Sequence, residues 1–486
     1  MGALQGCRPE KVFEFFEKIC SIPHGSGNTK AISDYCAGFA AERGLEYVQD
    51  SVNNIIIKKP ASPGCGSGPT VILQGHLDMV CAKDPGTEFD FLTQPITPET
   101  DGEWVSARGT SLGADNGVAV AMMLALLDTP DAAHPPLEAV FTIDEEVGLD
   151  GAKALDVSLL KGKYLLNMDS EDEGVLTAGC AGGRRVDCTL AVNAEQAEGR
   201  LFTIKVDGLL GGHSGAEIDK GRANANKLLG STLREMLTAS QYRLCSVSGG
   251  FADNAIPDSA QAEILAGDSC RETFARVVEE CEKRFREEFK DTDAGVTVTL
   301  ADGGSVSRSA IDLEGTRKAV ALICDTPNGV QRMSDDLPGL VQTSLNLGVM
   351  STEGGQITLS FSVRSSVGTE KESVCGRLKE ITGRLGGKTQ MRSDYPAWEF
   401  RRESRLRDLM VECYRDICGG EMKVTAIHGG LECGVLSDKM PDLDCVSFGP
   451  DMQNVHTSQE RLSIASTQRT YSFLLEILKR LSRENI

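Results

Sequence analysis

Apolar residues at helical spacing (Val12, Phe15, Phe16, Ile19) follow Pro9 and predict a first helix over residues 9–20. A second helix over 29–43 stops at Gly44, and short strands follow at 45–48 and 53–57. The unbroken run Val71-Ile-Leu then leads into Gly75-His-Leu-Asp-Met, the pattern of a buried strand. His76 and Asp78 stand two positions apart, on one face of that strand's end. Residues Leu137 to Asp144 and Tyr164 to Asp169 repeat the plan, each an apolar strand ending in acids. Between the first two strands a run rich in Val, Ala, Met and Leu, ending at Leu127, predicts a helix covered by its neighbours. It is entered through a glycine-rich turn that holds Asp115. Strands alternating with helices in this way predict an α/β domain with a mainly parallel central sheet and helices on both faces. Ligands of such sheets gather beyond the carboxyl ends of the strands, where His76, Glu145 and Asp169 all fall.

From about Gly183 the texture changes. Strands near 200–207, 242–247, 260–265 and 295–301 alternate with amphipathic helices near 222–239 and 272–289, the order of a split βαβ unit. A less regular second round has strands at 343–349 and 356–363 and a helix at 369–385. The tail returns to the first texture, with helix 403–417, strand 422–427, the loop His428-Gly-Gly, strand 443–448 and Val455-His456-Thr before a last helix. The expected division is therefore a discontinuous first domain, 1–185 and 389–486, interrupted by an α+β insert at 186–388 of two similar halves.

The chain has 486 residues and a formal charge of −21, which disfavours nucleic acid or an anionic membrane as partner. No apolar run is long enough to cross a bilayer, and the first residues lack the basic and apolar blocks of a signal peptide, so a cytoplasmic protein is expected. The sixteen cysteines are scattered without a Cys-x-x-Cys pattern, which reads as small buried hydrophobes in a reducing compartment.

Asp78, Asp115, Glu145, Glu146 and Asp169 would bring five carboxylates to one sheet edge. Two carboxylates ~4 Å apart repel by roughly 4 kcal/mol at an effective dielectric near 20, so such a cluster needs protons or cations. Two divalent metals answer this, and mixed imidazole and carboxylate ligation suits zinc, with cobalt or manganese as substitutes. Adjacent side chains on an extended segment point opposite ways, so one of Glu145 and Glu146 can bind metal while the other faces a substrate as a proton carrier. Each residue alone has a plainer account: His76-x-Asp78 a satisfied structural pair, Asp115 a helix N-cap, Asp-Glu-Glu a solvated loop. Recurrence after several apolar strands favours the metal reading.

With these residues in hand, the chain resembles the aminoacyl-histidine dipeptidases of the di-zinc superfamily that also holds carboxypeptidase G and the aminoacylases. The likeness rests on Gly75-His-Leu-Asp-Met, Ser111-Leu-Gly-Ala-Asp-Asn-Gly, Asp144-Glu-Glu-Val-Gly, Asn167-Met-Asp-Ser-Glu, Gly211-Gly-His-Ser-Gly and the 428–456 segment. It implies that His76 and Asp169 each bind one zinc, that Asp115 bridges, and that Glu146 and His456 hold the second. It implies Glu145 as general base, Asp78 as the acid that orients His76, and a cis peptide after Asp115. The insert becomes a lid, with His213 on the tetrahedral oxyanion, Asn254 and Arg364 on the substrate's backbone and carboxylate, and main-chain N–H groups near Gly430 within reach. A turn histidine, a turn asparagine before Pro257 and a strand-end surface charge are the plainer accounts of His213, Asn254 and Arg364. His24 and His134 have no motif around them and are expected to be structural or surface residues. The function implied is cytoplasmic hydrolysis of unblocked dipeptides of the Xaa-His type, including β-alanyl-histidine, with two Zn2+ per chain. The rivals are an N-acyl amino acid deacylase or tripeptidase using the same metals, and a catalytically silent peptide- or metal-binding member. Dimerisation through the lid stays open.

Overall fold

In the computed structural model, which describes residues 2–483, the run Val71–His76 is a strand buried along its whole length. It lies parallel to Leu137–Thr142 on one side and to Tyr164–Asn167 on the other. The register sets His76 beside Thr142, and Gln74 beside both Val140 and Asn167. The three strands therefore end together, and the acids that follow them emerge at one edge. The full sheet runs 46–49, 55–59, 137–142, 71–76, 164–167, 444–447, 175–180, 423–427. Its middle is parallel, but 46–49, 55–59 and 137–142 pair antiparallel, and Ser447 meets Thr177 antiparallel. The sheet is thus parallel in its centre and mixed outside it.

The apolar segment after Asp115 is the helix Ala114–Asp128, buried from Asn116 to Leu127. It can lie close to the central strand because residue 75 is glycine: a Cβ there would stand 2.5 Å from Asn116 Oδ1 and 3.2 Å from Ala119 Cβ. Phe16 and Ile19 of the helix Glu10–Cys20 pack at Gly117 on this same helix.

The chain separates into two compact units, one through Cys180 with Phe400–Ile427 and the stretch from Leu431 onward, the other Ala181–Glu399 with His428–Gly430. The second crossing falls at 399, not at 388, because Lys388–Tyr395 is a strand that pairs with Gly182–Ala191 in the sheet of the second unit. That nine-stranded sheet is built from two four-stranded rounds of one topology, with the strand Gly329–Met333 added against 341–353. In the first, strands 194–207, 243–249, 260–266 and 297–311 take the spatial order fourth, first, third, second, with helices Ala225–Ala239 and Arg271–Glu288 between them. In the other, strands 182–191, 341–353, 356–365 and 388–395 take the same order, with helices Leu313–Asp325 and Gly368–Arg384. The rounds join at one residue pair, Gly249 and Met350. Among the described residues no helix is long and apolar enough to cross a membrane, and all sixteen cysteines are free thiols.

Candidate metal centre and arginine cluster

Asp169 follows Asn167 by two residues, so the register that pairs Asn167 with Gln74 carries Asp169 to His76. His76 Nε2 lies 3.4 Å from Asp169 Oδ1 and 3.2 Å from Asp115 Oδ1. On the other side of Asp115, His456 Nε2 is 3.1 Å from Oδ2 and 3.0 Å from Glu146 Oε1. One carboxylate thus faces an imidazole with each oxygen, and each imidazole has a second acid for itself. The donor atoms of His76, Asp115 and Glu146 all lie within 4.8 Å of one another. Ligands at ~2.0–2.1 Å in a tetrahedron stand about 3.3 Å apart, so the 3.0–3.4 Å separations among these donors suit metal ligation.

The scaffold behind these donors is polar and paired. Asn116 accepts from the His76 N–H at 3.2 Å and donates to Met168 O at 2.8 Å, tying the turn of Asp115 to two strand ends. The Asp115–Asn116 peptide is cis. His76 Nδ1 is 2.9 Å from the Asp78 carbonyl and 3.3 Å from Asp78 Oδ1, which fixes the ring with Nε2 towards the acids. Asp78 also accepts from the N–H groups of Glu145 (3.0 Å) and Glu146 (3.3 Å) and from Ser26 Oγ (2.8 Å). Burial opposes its charge, but the imidazole and these donors outweigh it and hold the carboxyl below its usual range.

Glu145 behaves oppositely. Burial, then the charges of Asp169, Glu432 and Glu146, push its carboxyl well above the usual range against the pull of His76. A carboxyl in that condition holds a proton more readily than a free one, as a group that takes and returns protons must. Asp169 is raised as well, by burial first and by Asp115.

Three further acids here, the exposed Glu171 and the buried Glu432 and Glu460, were given no role from the sequence. Although its surface is exposed, Glu171 is pushed to about 7 by the partial loss of water around its carboxyl and by the charge of Asp115. Glu432, fully buried, accepts from Thr142 Oγ1 at 2.6 Å and from Gln74 Nε2, and burial lifts it to about 7. Glu460 accepts from four successive main-chain N–H groups at the Asp115 turn. Spacing from Asp169 could have flagged Glu171; Glu460, in Ser-Gln-Glu-Arg, reads as surface.

A model of peptidase family M20/M25/M40 matches residues 72–480, a span that contains every one of the converging donors. The chain belongs to peptidase family M20/M25/M40. It is 36% identical over 481 residues to the cytosol non-specific dipeptidase of Escherichia coli K12, covering 99% of each. The crystal structure of aminoacylhistidine dipeptidase from Vibrio alginolyticus superposes with a TM-score of 0.92 at 35% identity over 98% of each chain. Aminopeptidase PepT from Bacillus cereus shares the fold, with a TM-score of 0.57 at 15% identity over 98% of this chain and 100% of that one. Membership in M20 makes the protein a metal-dependent peptidase, and the donor set around Asp115 is where metal can bind.

The other residues singled out in this M20 chain lie in the second unit, which has a polar cluster of its own. Gly215 shows how tightly it is drawn together: a Cβ there would be 2.9 Å from His213 Cε1, 3.1 Å from the His428 carbonyl and 3.3 Å from Arg364 Cζ. Arg364 is not a surface charge. It is 8% exposed, its Nη1 is 3.2 Å from the Tyr395 hydroxyl, and its Nε has no hydrogen-bond partner among the described residues. His213 Nδ1 accepts the Ala216 N–H at 3.1 Å, which places the proton of the neutral ring on Nε2. Burial and then the charge of Arg364 lower its pKa, so the neutral form is favoured. His428 is also held low, at about 4, by burial and Arg364, with Nε2 2.7 Å from Ser344 Oγ. Asn254 gives its carbonyl to Ser214 N at 2.8 Å, and Gly430 lies against the Tyr395 ring. His24 and His134 are both buried, with Nδ1 on the carbonyls of Ile22 and Pro135, so neither is a surface residue.

Proposed function

We propose that the protein is a cytoplasmic dipeptidase that uses two zinc ions, held by His76, Asp115 and Asp169 on one side and by Asp115, Glu146 and His456 on the other. The observation that carries the reading is the division of the Asp115 carboxylate between two imidazoles, 3.2 Å and 3.1 Å away. When bound, the ions would supply Lewis acidity and a water reactive at neutral pH. Glu145 takes the proton of the attacking water and later delivers it to the leaving amine, a role that its raised pKa supports. Asp78 holds the His76 ring in place through both its carbonyl and its carboxylate. His213, with its proton on Nε2, is the donor for the oxyanion, and the open Nε of buried Arg364 receives the terminal carboxylate of a short peptide.

A carboxylate receptor limits substrate length and favours dipeptides over longer chains. The names of the two full-length relatives, one non-specific and one aminoacylhistidine, support a dipeptide substrate, and we include Xaa-His and β-alanyl-histidine among those cleaved. The test is metal content per chain together with cleavage rates on free dipeptides, tripeptides and N-acetyl amino acids. Two zinc ions with fastest turnover of dipeptides are expected. Preference for N-acetyl amino acids, or one ion per active chain, would sink the proposal.

A further inference from the structure

Glu460 is far in sequence from the turn it serves, 345 residues beyond Asp115, and its side chain is almost wholly buried. Its Oε2 accepts from Leu112 N at 2.7 Å and Gly113 N at 2.9 Å. Its Oε1 accepts from Ala114 N at 2.8 Å and Asp115 N at 3.1 Å. Four consecutive N–H groups, turned inward by Gly113 at φ +71°, form a concave anion site at the start of the helix Ala114–Asp128, and the chain fills it with its own carboxylate. Glu460 also closes the loop that carries His456: its N–H reaches Thr457 O at 3.3 Å, Ser458 is hydrogen-bonded to Asp84, and Asn454 and His456 both adopt positive φ.

Asp115 and His456 lie on separate backbone segments, yet their side chains must meet within about 3 Å. Glu460 is the covalent neighbour of one segment and the hydrogen-bond acceptor of the other. We infer that Glu460 is a positioning residue for the metal centre, coupling the turn of Asp115 to the loop of His456 so that the second ion, on the His456 side, finds its donors already in place. The inference rests on the ligand assignment proposed above. A carboxylate is required because all four partners are donors. An amide at this position offers one acceptor oxygen and turns two more N–H groups towards the cradle.

The experiment is a zinc titration of metal-stripped, full-length protein, with a chromophoric chelator as competitor, on wild type, Glu460→Gln and Asp115→Ala, beside thermal unfolding of each. Glu460→Gln should bind its weaker zinc roughly 10- to 100-fold less tightly, the range typical of groups that support metal ligands. Its kcat should fall at limiting zinc and recover in excess zinc, with KM little changed. Wild-type zinc affinities in Glu460→Gln would overturn the inference, including the case where only the melting temperature falls. Asp115→Ala separates the two readings: if it loses zinc while Glu460→Gln keeps both ions, only the role of Glu460 fails. If Asp115→Ala itself keeps both ions, the ligand assignment fails. Should Glu460→Gln not fold, amide hydrogen exchange of wild type decides. Slow exchange at Leu112–Asp115 in metal-free protein is expected, and fast exchange there would mean that the ions, not Glu460, hold the turn.

Discussion

Glu145 and Glu146 are neighbours to which we assign different tasks, on the ground that their surroundings differ. Glu146 faces His456 at 3.0 Å, whereas Glu145 is pushed towards its neutral form by burial and by the repulsion of several nearby acids. Glu145→Ala should therefore keep two metals while turnover falls by about 100-fold or more, and Glu146→Ala should lose one metal; metal analysis with a fixed-time dipeptide assay checks both. Glu432 supplies a pH dependence. Its pKa rises on folding from 4.5 to about 7, because burial disfavours the charged form. A raised folded-state pKa contributes stability that is complete below the unfolded value and is lost as pH climbs through the folded one, here between about pH 4.5 and 7, to the extent of about 3 kcal/mol. Metal-free protein should thus melt at a lower temperature at pH 7.5 than at pH 5, and Glu432→Gln should flatten that slope. The converging donors were legible because each sits in a short motif at a strand end or a glycine turn. Glu432 and Glu460 were not, since nothing in Leu-Glu-Cys or Ser-Gln-Glu-Arg tells a buried acid from a solvated one.

At the scale of elements, the approach of the helix Ala114–Asp128 to the strand Val71–His76 is what brings Asp115 to His76. Gly75→Ala places a Cβ 2.5 Å from Asn116 Oδ1 and forces that side chain off the His76 N–H and the Met168 carbonyl. The variant should lose about 1–3 kcal/mol of stability for the buried groups left unpaired and should bind metal more weakly, both measurable by denaturant melts and zinc competition. Strands with unbroken apolar runs were readable from sequence, and so were the helices with a clear apolar stripe. Those that escaped have physical reasons. Lys388–Tyr395 is a mostly exposed edge strand with scarcely an apolar side chain to mark it. Val175–Cys180 is short and built largely of small residues. Leu313–Asp325 did carry signals, an Asp312 N-cap that accepts from Gly315 N at 2.6 Å and buried Ala319, Val320, Leu322 and Ile323, but it interrupts the order expected of a regular second round. It belongs instead to a round whose opening strand, Gly182–Ala191, lies before the whole first round in sequence.

At the scale of the molecule, the two units carry different chemistry: one gathers acids and imidazoles, the other gathers Arg364, His213, His428 and Tyr395. If Arg364 receives the substrate's carboxylate, Arg364→Met should raise KM for free dipeptides by about 10- to 100-fold and scarcely alter the cleavage of the same dipeptides carrying a C-terminal amide. Equal losses on both substrate types would remove Arg364 from recognition. The order of the donors along the chain has a further consequence during synthesis. His76, Asp115, Glu146 and Asp169 have all been translated by residue 169, but His456 and Glu460 emerge only after a further 287 and 291 residues. On the ligand set proposed above, a nascent or truncated polypeptide therefore carries four of the five donors but lacks His456, and the acid that ties its loop to the Asp115 turn, until the last segment has been made.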